Sequence, residues 1–187
     1  MCIRWLVLLV PLLALGCSPN FDKLIINRTP DVPGSIIVTS TAFKNGQAIP
    51  DKYATTLDVS PPVEWSNVPA GAKSLVLLME DADSPPPDPF VHWVIYNIPP
   101  TVSGLPENLP HLKKLKVPLG PIQGKNSRHR EGYGHPTPPG DKVHHYHFEV
   151  YALDDVLPAE SGYNKSQVIT EMSGHVLAKG ELIGTLK

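Results

Sequence analysis

Twenty-two of the 187 residues are proline, and thirteen of those fall between residues 85 and 139. Proline lacks a backbone N–H and clashes with the preceding turn, so in a helix interior it costs roughly 3 kcal/mol. A chain punctuated this often cannot form a helical bundle. Its regular structure must lie in short runs between proline-stiffened loops. Long loops of this kind seldom persist without a functional role. A hydrophobic fraction of 41% is enough to fill a core, which excludes an intrinsically disordered chain.

The runs themselves read as strands. Ser35 to Ser40 is rich in β-branched residues, and Asn45-Gly46 is a strong turn signal. Ser74 to Glu80 is apolar on both alternating faces, which suits a central strand covered on both sides. Val91 to Ile98 is similar and is stopped by Pro99-Pro100; His144 to Leu153 and Gly180 to Leu186 follow. One helix is expected over Lys165 to Ala178, with Val168, Met172, His175 and Val176 at helical spacing. The result is a mainly β domain with long loops.

Residues 1–17 read as a leader. Arg4 precedes an apolar run from Trp5 to Leu15, too short for the roughly 20 residues a membrane span needs. Ala14-Leu15-Gly16-Cys17 looks like a bacterial lipobox, with cleavage before Cys17 and a lipid on its sulfur. Ala14 departs from the large aliphatic residue usual at that position. Plain secretion and a retained interfacial anchor are the alternatives. Cleavage would remove Arg4 and Cys2, changing the net charge from −2 to −3 and leaving one cysteine. An internal disulfide is then impossible. The chain divides into a signal peptide (1–16), a lipidated Cys17 with a polar tether (17–34), and a domain (35–187). Leu24-Ile25-Ile26 could dock that tether on the domain. The expected location is the cell envelope.

Several chemistries find little support. No long basic run exists, so nucleic acid is not an expected partner. There is no Gly-x-Ser-x-Gly elbow and no Gly-x-x-x-x-Gly-Lys phosphate cradle, so neither covalent catalysis nor a nucleotide cofactor is expected. Cys17, at the anchor, cannot serve as a catalytic thiol. Strand alternation divides His144, His145 and His147 between two faces, which argues against a metal centre. It leaves His145 and His147 as partly exposed strand residues.

An anion pocket fits better. Asp81 ends one central strand, His92 begins the next, and His144 and Tyr146 share a face on the third. Gly134 to Gly140 forms a glycine- and proline-rich loop whose N–H groups can approach an anion closely. A carboxylate beside histidines can fix their tautomer and raise their pKa.

These residues lie in blocks that resemble bacterial phosphatidylethanolamine-binding-like proteins. Ser60-Pro61-Pro62-Val63-Glu64-Trp65 resembles their Ser-Pro-Pro-Leu-x-Trp. Asp81-Ala82-Asp83-Ser84-Pro85 is similar to their Asp-Pro-Asp-Ala-Pro, and Val91 to Pro99 to their Thr-His-Trp-Val-x-x-Asn-Ile-Pro. Gly132 to Gly140 looks like their Gly-Tyr-Gly-Gly-Pro-x-Pro-Pro-Gly, and His144-His145-Tyr146 stands where they have His-Arg-Tyr. Gly174 to Ala178 resembles their closing helix. The resemblance runs collinearly over residues 35–187.

The resemblance implies a β-sandwich-like fold with a central antiparallel sheet, a smaller sheet and a few helices. It also implies a surface cavity for phosphate-like anions, lined by Asp81, His92, His144 and Tyr146 and rimmed by Pro85, Phe90, Gly134, Pro138 and Pro139. Trp65 and Trp93 would pack beneath it. The family includes lipid head-group binders, Raf kinase inhibitors, a carboxypeptidase inhibitor and plant flowering regulators. The expected ligand is thus a small phosphate- or carboxylate-bearing molecule or a phospholipid head group. No cofactor is expected and no catalysis, with weak phosphohydrolase- or isomerase-like activity of the Asp/His group kept as a third reading. The alternative is an inhibitor or interaction module for an envelope protein. Three departures stand out: His145 for the usual Arg, His135 for a pocket-loop Gly, and His147 for an apolar residue.

Overall fold

The computed structural model describes residues 23–24, 31–116, 120–158 and 162–187. The leader, Cys17 and most of the tether lie outside these residues. The two-sheet, mainly β architecture implied by the sequence is the one observed. Among the described residues nine strands occur in chain order: β1 (Ile37–Thr39), β2 (Gln47–Ala48), β3 (Val63–Ser66), β4 (Ser74–Asp81), β5 (Phe90–Ile98), β6 (Gly104–Leu105), β7 (Ile122–Gln123), β8 (His144–Leu153) and β9 (Val176–Leu186). The single α-helix among the described residues, α1 (Lys165–Met172), precedes β9. Among the described residues no helix is long and apolar enough to cross a membrane.

A small sheet runs β1-β3-β6, and a large one β2-β9-β8-β4-β5-β7. All pairings are antiparallel except β2 with β9. Every residue of β4 is buried, because the large sheet is covered on both faces. Leu75, Leu77, Met79, Trp93, Phe148 and Val150 meet Val38, Val63 and Trp65 of the small sheet. On the other face Val76, Leu78, Val94, Tyr96 and Tyr151 pack under Val168 and Met172 of α1. Each such large apolar side chain contributes about 1.5–3 kcal/mol relative to exposure.

The helix is shorter than its apolar spacing suggests. Asn164 opens it with a reciprocal capping box to Gln167. The helix stops at Met172, and Gly174 takes a left-handed φ of 82° that turns the chain back. Val176 to Ala178 therefore belong to β9, which begins four residues before the expected Gly180 and pairs with β8 along its length. Pairing with a central strand overrides the helical pattern there. His175 consequently lies outside the helix and bonds Asp154 at 2.8 Å.

His147 is also corrected: it is 2% exposed, not a partly exposed strand residue. It lies across from Glu80, on the face that carries α1, and its Nδ1 bonds Glu181 Oε1 at 2.6 Å. Two buried glutamates share that face. Lys165 of α1 reaches Glu80, and Tyr151 Oη donates to Glu149 Oε2 at 2.5 Å. Burial pushes the Glu149 carboxyl well above its usual range, and the neighbouring Glu80 adds to the shift.

Leu24 is fully buried, and Pro33 O accepts from Lys179 N at 3.0 Å. Ile36 N donates to Lys179 O at 3.1 Å, so the chain runs along β9 before β1 begins. Gly180 permits that approach. A Cβ there would stand 2.1 Å from Ile36 O, with no flexible atom to give way. Gly180→Ala is expected to destabilise the domain by about 1–3 kcal/mol, read as a lower urea midpoint with an unchanged m-value.

Candidate functional site

Three adjacent strands bring the site to one end of the large sheet. Asp81 ends β4 and lies opposite Tyr146 of β8. His144 opens β8 two residues earlier, on the same face as Tyr146. His92 arrives through a β-bulge. Met79 faces Trp93 but Glu80 faces Val91, so His92 is an extra residue in β5. A bulge re-aims the side chain of its extra residue. The His92 ring meets that of Tyr146 edge-on, with centroids 5.4 Å apart. The His144 and Tyr146 rings are 6.4 Å apart and nearly parallel.

The hydrogen bonds define what the imidazoles can offer. His92 Nδ1–H donates to the Gly134 carbonyl at 2.8 Å, and Gly134 N donates back to His92 O at 2.8 Å. A carbonyl only accepts, so the His92 proton sits on Nδ1 and Nε2 carries a lone pair. His144 Nδ1 bonds Asp81 Oδ2 at 2.8 Å, which orients that ring as well. The expectation that both histidines donate to an anion is thereby sharpened. In their neutral tautomers they present acceptors, and donation from Nε2 requires an added proton.

Electrostatics reinforce this. Burial lowers the His92 pKa from 6.5 to about 4; the Gly134 bond opposes the shift, while the charges of Arg128 and His135 extend it. Burial raises the Asp81 carboxyl, against the His144 hydrogen bond. Burial also raises the Tyr146 hydroxyl far above its usual range, helped by the Asp81 and Asp83 carboxylates and by a loose hydrogen-bonding contact with Asp81. Tyr146 thus remains a donor. Its Oη is buried and has no well-formed hydrogen bond among the described residues. The four side chains are 0–4% exposed.

The rim is partly defined. The Phe90 ring lies 4.8 Å from that of His92, and Gly134 holds His92 through both backbone bonds. Pro85, Pro138 and Pro139 stand on the loops that leave these strands, exposed or half-buried. Trp65 and Trp93 are buried, with indole N–H groups bonded to Val102 O and Gln123 Oε1. Among the described residues no group of three or more His, Cys, Asp or Glu is arranged to hold a metal ion.

Several supporting residues escaped the sequence reading. Ser84 Oγ donates to Asp81 O at 2.9 Å and accepts from Phe90 N at 2.8 Å, which closes the 81–90 loop. Asp58, in a left-handed conformation, accepts from His135 N at 2.9 Å and also bonds its ring. The His135 donor therefore serves Asp58. Arg128 Nη1 donates to His135 O at 3.0 Å, and its guanidinium lies 5.4 Å over the Phe90 ring. The close pair Arg128 and Arg130 was the only sequence signal for this support; Asp58 gave none. Asp83 accepts from His145 N at 2.8 Å and bonds its ring at 2.7 Å, so the position usually held by Arg keeps a carboxylate partner.

The chain is similar to proteins of known sequence and structure. A family model described as phosphatidylethanolamine-binding protein matches residues 39–187. The UPF0098 protein PYRAB11530 of Pyrococcus abyssi is 40% identical over 151 residues, which cover 80% of this chain and 84% of the relative. A UPF0098 protein of Chlamydia trachomatis is 42% identical over 153 residues, covering 79% of this chain and 96% of the relative. Among solved structures, the putative phosphatidylethanolamine-binding protein homolog CT736 of C. trachomatis superposes with a TM-score of 0.73 at 41% identity, covering 82% of this chain and 98% of that one. E. coli YbcL, described as a new member of the mammalian PEBP family, gives 0.76 at 31% identity, covering 82% and 99%. The motif blocks, the two-sheet fold and these matches agree: the chain belongs to the phosphatidylethanolamine-binding protein family.

Proposed function

We propose that the protein reversibly binds a small phosphate-bearing ligand at Asp81, His92, His144 and Tyr146, without chemical turnover. The observation that carries this reading is the buried Tyr146 hydroxyl, which stays protonated between the Asp81 carboxyl and two imidazoles without a well-formed hydrogen bond. A buried donor left fully unpaired costs about 1–3 kcal/mol, and a ligand oxygen would recover the part that the loose Asp81 contact does not. The His92 Nε2 lone pair asks for an O–H. A singly protonated phosphate monoester supplies both an O–H and acceptor oxygens, whereas a carboxylate at neutral pH supplies acceptors only.

The anchor reading extends this. If Cys17 is lipidated, the site stands close to membrane head groups at high local concentration. Phosphoethanolamine is therefore the natural probe. Calorimetric titration at pH 6 should give one site per chain, lost in the His92→Ala/His144→Ala double variant while near-ultraviolet circular dichroism is unchanged. Retention of binding in that variant would overturn the reading. If the variant also keeps an envelope protein that the parent captures, the interaction-module alternative gains. Intact mass measurement on protein from its own cells tests the anchor, since cleavage before Cys17 with added lipid gives a defined mass.

A further inference from the structure

A second cluster of charge adjoins this site, with Gly134 lining its cavity and Arg128 lying over the Phe90 ring of the rim. Asp58, His111, Arg128, Arg130, Tyr133 and His135 line a cavity of about 210 Å³. That is smaller than the pockets that hold drug-sized ligands and suits a small ion. The turn that presents the two arginines is fixed by Asn126, itself 4% exposed. Asn126 Oδ1 accepts from Arg128 N at 2.9 Å and Arg130 N at 3.2 Å, and Nδ2 donates to Gly132 O at 3.2 Å. Asn126 N closes the turn onto Arg130 O at 2.9 Å.

The charges do not balance. Among the described residues Asp58 is the only carboxylate lining the cavity, and both its bonds from His135 go to Oδ1. Burial alone would raise its pKa, but those bonds outweigh burial and lower it, so Asp58 stays ionised. Neither arginine forms an ion pair among the described residues. Two guanidinium charges thus face one carboxylate already engaged by histidine. Arg128 is held by bonds to His135 O at 3.0 Å and Thr137 Oγ1 at 3.1 Å, which leave further N–H donors on a fixed guanidinium. His111 bonds the Asp58 carbonyl through Nε2 at 3.3 Å.

We propose that this cavity is a second oxyanion site beside the first, which takes a phosphate- or sulfate-sized ion between Arg128 and Arg130. Guanidinium groups carry their charge at every working pH and match the paired oxygens of such ions. The two sites therefore differ in chemistry. The His92 site favours an oxyanion that still carries a proton, and the arginine site needs none.

Sulfate separates them, because it is unprotonated near neutral pH. Sodium sulfate is titrated at pH 8 into the ¹⁵N-labelled protein at constant ionic strength, with amide shifts as the readout. Saturable one-site shifts are expected at Arg128, Arg130 and His135. The His92→Ala/His144→Ala variant should keep them, and Arg130→Gln should weaken them at least tenfold. Arg130→Glu, at an exposed position, should abolish them without loss of fold. Non-saturable shifts, or equal affinity in Arg130→Gln, would reduce the effect to an adventitious ion only and overturn the proposal. So would loss of the shifts in the double histidine variant. A parallel arm with glycerol phosphate asks whether the ion can be an ester: binding that depends on Arg130 supports an esterified occupant, and binding of sulfate alone supports a free ion.

Discussion

Affinity for phosphoethanolamine is expected to fall roughly 50-fold between pH 6 and pH 8, since a phosphate monoester loses its second proton near pH 6. The reason lies in the tautomers. Gly134 fixes the His92 proton on Nδ1, so Nε2 can meet a phosphate oxygen only across a shared proton. With a pKa of about 4, His92 does not bring that proton itself at neutral pH. The ligand must supply it, and above its own pKa each pH unit removes about tenfold of the competent species. Binding should therefore take up close to one proton per ligand at pH 8. Calorimetry in buffers of different ionisation enthalpy measures this directly. Equal affinity at the two pH values, with no proton uptake, would eliminate the shared-proton geometry. Inorganic sulfate should not occupy this site at either pH.

The second large effect is on stability in acid. The folded-state pKa of His92 lies below its unfolded value of 6.5, so the unfolded chain binds the extra proton between those two values. The stability that neutral His92 contributes is fully present above pH 6.5. It is lost as pH falls toward about 4, where the accumulated cost reaches about 3 kcal/mol. His92→Asn keeps a side-chain donor for Gly134 O and does not titrate. Its stability relative to the parent should improve by up to that amount from pH 7 to pH 4, as measured by urea unfolding at each pH. Asp81 and Glu149 act with the opposite sign: their raised folded-state values favour the folded state as pH falls. The parent curve alone is therefore a sum, and only the difference between parent and variant isolates His92. A difference that does not change with pH would mean that His92 is not held neutral by burial.

The His145–Asp83 bond is a full ion pair only with a charged imidazole, whereas an arginine there would be charged throughout. The pair is half-exposed on the histidine side, which limits its contribution to the range of surface pairs.

Much of this protein is legible in its sequence. The apolar runs at Ser74–Glu80, Val91–Ile98 and His144–Leu153 announced strands covered on both faces, because only such strands can use apolar residues at every position. The alternation rule put His144 and Tyr146 on one face, and the motif blocks carried the family, the fold and four of the site residues. Periodicity failed where tertiary pairing competed with it. Val176 to Ala178 fit a helical pattern, yet the open edge of β8 offered hydrogen bonds that a continued helix past Gly174 could not match.

What only the tertiary structure decided is direction and partnership. No local signal marks the bulge that turns His92 toward Tyr146, because the extra residue is defined against β4 and not by its own neighbours in sequence. Likewise His147 looked solvent-facing until α1 covered that face. Asp58 is far from His135 in sequence and acquires its meaning from a contact the chain makes only when folded. The sequence by itself determined which side chains the chain owns, the family it belongs to and the strands that bear the site. The fold determined which nitrogen of each imidazole is free, since a tautomer depends on the carbonyl or carboxylate that packing brings within hydrogen-bonding distance.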